Sequence, residues 1–330
     1  MIVLLVLAAA CLPAETHQIV PTKLYNSFDH RHPVLARIRS GDTVVTKTAD
    51  AGGYDWNGKK AGERGNPLTG PFYVEGAAPG DSIAIRFTRI RMNRNYGFTT
   101  YRLGAYAVTP ESMERTYGRS YQKGAVVPER DDIVRWNIDL AKATVKLSAP
   151  QSKVHAMEFQ AKPMLGCAGV AAPGVFAPTS GISGNYGGNM DYNRLVEGTT
   201  LYLPVFHAGA LFFIGDGHAL QGDGEPTGTG VETSMDVTFE VVVRKGVGLE
   251  NPRLETAEWI VSIGSQPEFV SSLDRTIRVA TTDMVEWLVR EYKMEPWAAH
   301  LLIGYRGQYD VITVGGSMGL RLSKADLPKR

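Results

Sequence analysis

Two cysteines, Cys11 and Cys167, are all that the 330 residues contain. So few thiols exclude a disulfide framework and any zinc site built from four cysteines. Cys167, in an apolar Ala/Gly/Val run, reads as a small buried hydrophobe. A surplus of either charge is also missing. Lysine and arginine total 35 against 34 acids, a net charge of +1, which is not the basic footprint of a nucleic-acid binder. No internal apolar run approaches the roughly 18 residues of a membrane span. The common catalytic signatures are absent as well: there is no H-E-x-x-H, no Walker A, and no G-x-G-x-x-G between a strand and a helix. The stretch Gly315-Gly316-Ser317-Met318-Gly319 does fit G-x-S-x-G. However, only eleven residues follow it and the last histidine, His300, lies upstream, so a nucleophile elbow has no acid and base to follow it.

What the chain has in quantity is turn formers. Its 36 glycines and 18 prolines, with 43% hydrophobic and 21% charged residues, describe a globular protein of many short strands. At about 150 residues per domain the length allows two domains, although an all-β chain can run longer as one. Residues 1 to 10 are uninterruptedly apolar and are followed by Cys11, Pro13 and the first acid, Glu15. That length suits the core of a signal peptide. A leader over 1–14 and export to the periplasm or beyond are therefore expected. A lipoprotein site at Cys11 is a weaker reading, and without a leader the protein would be cytoplasmic.

Short β-branched segments punctuated by turns fill residues 15–150: Val34 to Ile38, Thr43 to Thr48, Ser82 to Ile90 and Thr144 to Leu147. A second β region is expected over 151–250, with strands at Thr199 to Phe206, Ala210 to Ile214 and Met235 to Arg244. Residues 181 to 230 of this region hold 12 of the 36 glycines. Helices are predicted only in the last part, 251–330: one capped at Thr281-Thr282-Asp283, another from Pro296 to Gly304, then a strand over Val311 to Val314. The expected fold is mainly β, a sandwich or barrel with a small α+β C-terminal part.

Two clusters of ligating residues stand out. His30 and His32, at strand spacing, could share a metal or simply start a solvated strand. The denser window runs from Gly215 to Glu225 and packs four glycines, two aspartates, one histidine and one glutamate into eleven residues directly after an apolar strand. A plain connection needs one or two glycines and no titratable groups. Carboxylates with an imidazole suit zinc or a similar divalent ion, with a glutamate left over to move protons.

These motifs bring the chain to a known family. Gly41-Asp42-Thr43-Val44 with Thr48-Ala49-Asp50-Ala51, the run Gly65-Asn66-Pro67-Leu68-Thr69-Gly70-Pro71-Phe72 through Ala77, and Pro79-Gly80-Asp81 carry the likeness. So do Gly187-Gly188-Asn189-Met190-Asp191, Leu203-Pro204-Val205, Gly209-Ala210-Leu211, the Gly215 to Glu225 window, Gly228-Thr229-Gly230-Val231-Glu232, and Ala280 to Leu288. Over about residues 20 to 327 the chain resembles the acetamidase/formamidase family. It departs near positions 28 to 33, where the family shows a tryptophan and paired prolines and this chain has Phe28 and the two histidines. The resemblance implies a mostly β fold and hydrolysis of small linear amides such as formamide or acetamide to carboxylate and ammonia.

On that footing Asp50, Asp191 and His218, each closing a strand-like run, are expected to converge as ligands of a divalent metal, zinc by preference, with calcium as a conceivable second ion. Asp216 either replaces one of them or orients His218. Glu225 is the candidate general base, and Asn66 with nearby backbone amides the candidate donor to the developing oxyanion. A homo-oligomer is compatible with a β-rich chain that must cover its edge strands. The competing readings are a secreted, calcium-stabilised binding module using Tyr54 and Trp56 as an aromatic platform, and a catalytically silent relative.

Overall fold

The structure, a computed structural model, describes residues 13–100, 107–109, 111–112, 115, 133–149, 151–175, 177–265 and 272–329. The apolar stretch 1–10 and Cys11, on which the leader and lipoprotein readings rest, lie outside them. No helix among the described residues is long and apolar enough to cross a membrane.

The alternating segment Met235–Arg244 forms the strand its pattern predicts, burying every second side chain over most of its length. It pairs antiparallel with Ser82–Met92 on one side and Thr43–Lys47 on the other. Among the described residues these belong to a nine-stranded sheet. Its order is Thr16–Gln18, Thr43–Lys47, Met235–Arg244, Ser82–Met92, Thr200–Pro204, Arg253–Glu255, Trp259–Ser265, Ser317–Ser323 and Gln308–Thr313. A second sheet, of eleven strands among the described residues, runs Ser183–Gly184, Gly187–Asn189, Met164–Val170, Phe212–His218, Glu232–Thr233, Tyr96–Thr100, Ile133–Asp139, Thr144–Ala149 and Glu158–Gln160. Leu68–Val74 joins it beside Phe212–His218, and Ala36–Ile38 joins Leu68–Val74. Both sheets draw strands from either side of residue 150.

The sheets pack face to face, as in a sandwich. Phe72 and Phe212 from the second sheet meet Phe239 of the first edge-on, each with ring centroids 5.3 Å apart. They lie in one buried cluster with Ile83, Ile85, Leu201 and Val241. Burying side chains of this size contributes about 1.5–3 kcal/mol each, so the cluster dominates stability.

Two helices cover the C-terminal strands. α1 (Leu273–Tyr292) is capped by Ser272, whose side chain accepts from the Arg275 N–H. The cap expected at Thr281–Asp283 is mid-helix instead. There Thr281 bonds back to the Ile277 carbonyl, and the buried Asp283 carboxylate takes the Arg253 guanidinium at 2.8 and 3.1 Å. Arg253 also lies 4.8 Å over the Trp287 ring. The helix comes so close to the sheet that a Cβ on Gly264 would fall 2.1 Å from the Thr276 carbonyl oxygen. α2 (Pro296–Arg306) begins where expected and ends at Gly307 rather than Gly304.

The correction that matters most for function concerns the strand expected to stop at Ile214. It continues through Gly215, Asp216 and Gly217 to His218. Gly215 and Gly217 are therefore strand glycines. A Cβ on the first would meet the Pro67 carbonyl oxygen at 2.8 Å, and one on the second would meet Met235 Cγ at 2.4 Å.

Candidate active site

Asp216 and His218 stand two residues apart at the end of Phe212–His218. On one side the strand pairs with Met164–Val170, which in turn pairs with Gly187–Asn189. The hairpin brings Asp191, two residues past Asn189, over Gly166, whose carbonyl accepts the Asp191 N–H at 3.1 Å. On the other side Glu232–Thr233 pairs in a register that sets Glu232 directly opposite His218. Asp191, Asp216, His218 and Glu232 are all at least 96% buried. His218 Nε2 lies 3.1 Å from Glu232 Oε1 and 3.5 Å from Asp216 Oδ1. The ligating atoms of Asp191, Asp216 and His218 fall within 4.8 Å of one another, and so do those of His218, Glu225 and Glu232.

Amides hold this centre in place. Asn189 donates to Asp191 Oδ2 at 2.7 Å, while its own oxygen accepts from Asn66 at 3.0 Å and from the Cys167 thiol at 2.9 Å. Asn66 donates its other hydrogen to Asp216 Oδ2 at 2.9 Å. Gln221 bridges His218 Nδ1, at 2.7 Å, and the Asp191 carbonyl, at 2.6 Å. After these bonds, four buried side-chain atoms at the centre have no hydrogen-bond partner: Asp191 Oδ1, Asp216 Oδ1, His218 Nε2 and Glu232 Oε2.

The crowding of acids changes their proton affinities. Burial, reinforced by the Asp216 charge, pushes Asp191 up to about 7. Burial also lifts Glu232, to about 8, against the opposing pull of His218. For His218 burial works against the charged ring, but Glu232 and Asp216 outweigh it and hold its affinity for a proton well above the ordinary value. Burial and the neighbouring acids likewise raise Glu225. A centre that draws protons so strongly is electronegative and suits a cation.

The centre forms one wall of an open cavity of about 570 Å3. Asn66, Asp191, Asp216, Glu225 and Glu232 line it, together with Phe98, Ile182 and Arg64.

Of the residues singled out in the sequence, Asp191, Asp216, His218 and Glu225 are brought together. Asp50 is not. Its carboxylate is claimed by Arg94, 2.5 Å away and equally buried, and by the Tyr54 N–H at 2.9 Å. Asn66 lines the cavity, but both hydrogens of its amide are spent on Asn189 and Asp216, so it positions these groups instead of awaiting an oxyanion. Glu232 had no role assigned from the sequence. The available signal was its place in the Gly228 to Glu232 motif, an acid immediately after buried Val231. His30 and His32 do not share a ligand position: His30 stacks on His207 at 4.4 Å, and His32 bonds Ser27 at 2.8 Å and stacks on Tyr25. Lys60 and Lys47 lie over the rings of Tyr54 and Trp56. Ser317 of the G-x-S-x-G stretch sits 2.8 Å from the Ser265 hydroxyl.

Fold and site together define a two-sheet β protein with a buried carboxylate–imidazole centre in the wall of a small-molecule cavity. Residues 141–292 match the Acetamidase/Formamidase family. Crystal structures of acetamidases from Yersinia enterocolitica and Bacillus halodurans superpose with TM-scores of 0.78 and 0.74, each at 27% identity. The first covers 97% of this chain and 95% of its own, the second 93% and 97%. A formamidase of Methylophilus methylotrophus is 22% identical over 284 residues, 70% of this chain and 67% of that protein. A Schizosaccharomyces pombe protein, named provisionally as a formamidase, is 24% identical over 272 residues, 67% of this chain and 64% of that one. The chain thus spans about two thirds of the length of these curated relatives. Over these spans it is similar to the acetamidase/formamidase family.

Proposed function

We propose that the chain hydrolyses the carbon–nitrogen bond of small linear amides to a carboxylate and ammonia. The observation that carries this reading is the set of four partnerless buried atoms on and just behind the cavity wall, in a chain similar to formamidases and acetamidases. Buried polar atoms left without partners cost about 1–3 kcal/mol each, and the ligating atoms of Asp191, Asp216 and His218, within 4.8 Å of one another, fit a divalent cation. Two carboxylates and one imidazole suit zinc. Calcium, which takes six to eight oxygens, suits an imidazole-bearing set poorly.

Asp191, Asp216 and His218 would hold such an ion, which when bound supplies Lewis acidity to the amide carbonyl, and Glu232 stands beside them at His218 Nε2. Glu225, half-buried on the cavity wall, takes a proton from the attacking water and returns it to the leaving nitrogen. Phe98 and Ile182 offer apolar wall to an alkyl group. The cavity has room for amides well beyond one or two carbons.

The test is ammonia release from formamide, acetamide, propionamide and butyramide, before and after exhaustive chelation and after zinc is returned. Release that stops on chelation and resumes with zinc is expected. Release indifferent to chelation would keep the hydrolysis and remove the metal. No release from zinc-replete protein on any of the four would overturn the amidase reading.

A further inference from the structure

We propose that Gln221 is a positioning residue: it holds His218 with a ring proton on Nδ1 and so leaves Nε2 facing Asp216 and Glu232. The inference rests on the reading above in one respect, that His218 serves the site through Nε2.

The direction of the bonds follows from what each group can do. A backbone carbonyl only accepts, so the end of the Gln221 side chain 2.6 Å from the Asp191 oxygen is its NH2 group. The other end, 2.7 Å from His218 Nδ1, is then the amide oxygen, which also only accepts. The hydrogen between them therefore belongs to the imidazole. The relay runs one way, from His218 Nδ1–H to Gln221 Oε1 and from Gln221 Nε2–H to the Asp191 carbonyl. The alternative tautomer would set a bare nitrogen against an oxygen inside a buried site, and a buried pair of unsatisfied acceptors disfavours it about tenfold or more.

The Gly230 backbone packs closely against the same ring, where a Cβ would lie 2.6 Å from Nδ1 and 2.7 Å from Cγ. Thr99 holds the Gly230 carbonyl at 2.9 Å, so this backbone is itself tied down. Gln221 thus does two things with one buried side chain. It selects the nitrogen that faces the acids, and it fastens the backbone of Asp191, which sits at a left-handed φ of 50°, to the strand end carrying His218.

The experiment is a long-range proton–nitrogen correlation on protein labelled with 15N in its histidine rings, recorded as isolated and after chelation. His218→Asn identifies the resonances of that ring. Expected is a proton on Nδ1 of His218 protected from exchange with water, in both states. Gln221→Leu should lose the protection and bind zinc about 10–100-fold more weakly, whereas Gln221→Glu, which keeps an acceptor opposite Nδ1 once its other oxygen carries a proton toward the Asp191 carbonyl, should restore the protection. A wild-type ring protonated on Nε2 alone, or a Gln221→Leu spectrum and zinc affinity matching wild type, would overturn the proposal. If Gln221→Leu does not fold, the wild-type and Gln221→Glu spectra still decide. If wild type binds no zinc, the metal reading fails while the Nδ1 proton is judged by the spectrum alone.

Discussion

Gly166→Ala isolates the geometry of the centre from its chemistry. Gly166 has no left-handed φ, so alanine suits its backbone and the change is purely steric. The new Cβ would lie 2.5 Å from Asp191 Oδ1 and 2.6 Å from Asp216 Oδ2. Carbon and oxygen do not approach within 3.0 Å, so both carboxylates must retreat by about half an ångström. Neither can do so freely, because Asn189 grips one at 2.7 Å and Asn66 the other at 2.9 Å. Overpacking of this kind costs about 1–3 kcal/mol of stability. Displacing two ligand carboxylates should weaken zinc binding about 10–100-fold, the range seen when the support of a metal ligand is disturbed. Competitive zinc titration and urea unfolding of the metal-free protein measure the two effects separately. A folded Gly166→Ala protein with wild-type zinc affinity would refute the claim that Asp191 and Asp216 act together over this glycine.

Replacing Glu225 by Gln should leave zinc affinity within a few-fold of wild type and lower turnover by about 10²–10⁴; unchanged ammonia release would remove Glu225 from the reaction. Asp50→Asn should destabilise the fold by about 3–5 kcal/mol, because it strands a buried Arg94 guanidinium. Metal content measured by atomic absorption should not change, and its loss would return Asp50 to the ligand set. Acid stability should depend on Asp81. The Lys245 ammonium and the Gly246 and Ala78 N–H groups hold its carboxyl down at about 2. A depressed carboxyl stabilises the fold above its unfolded value near 3.8, and that share is lost as pH falls through about 2. Asp81→Asn should therefore cost stability at neutral pH and flatten the decline from pH 4 to 2, which thermal melts across that range would show.

Strands with one buried face were legible because the alternation in Met235–Arg244 and Ser82–Met92 records which side meets the core. The Phe212–His218 strand was cut short because Gly215 and Gly217 carry a loop signal locally, while the reason for them lies at Pro67 and Met235, far away in sequence. Asp50 and Asp191 look alike from the sequence, each a carboxylate two or three residues from a glycine pair. What separates them is Arg94, 44 residues from Asp50, which no local pattern connects to it. Glu232 is the mirror case: its role comes from a strand register opposite His218, and register is set by the packing of the whole sheet. The chemistry-bearing residue types could be read locally, but their partners could not.

The backbone offers an independent mark of function. Asn66, Asp191, Asp216 and Glu225 have φ values of 59°, 50°, 55° and 45°, in a region that favours glycine. Such residues persist where the surrounding structure over-determines them, and they gather at functional sites. If Glu225 is kept for its carboxylate against the preference of its backbone, glycine there should be more stable than alanine by about 1–2 kcal/mol. At an ordinary position the sign is opposite, with glycine worse by about 0.5–1 kcal/mol. Comparing Glu225→Gly with Glu225→Ala by urea unfolding cancels the loss of the carboxylate, common to both, and leaves the backbone contribution. Both proteins should be inactive. An alanine variant equal to or more stable than the glycine one would show that the turn holds no strain, and Glu225 would lose this argument for its place in the site.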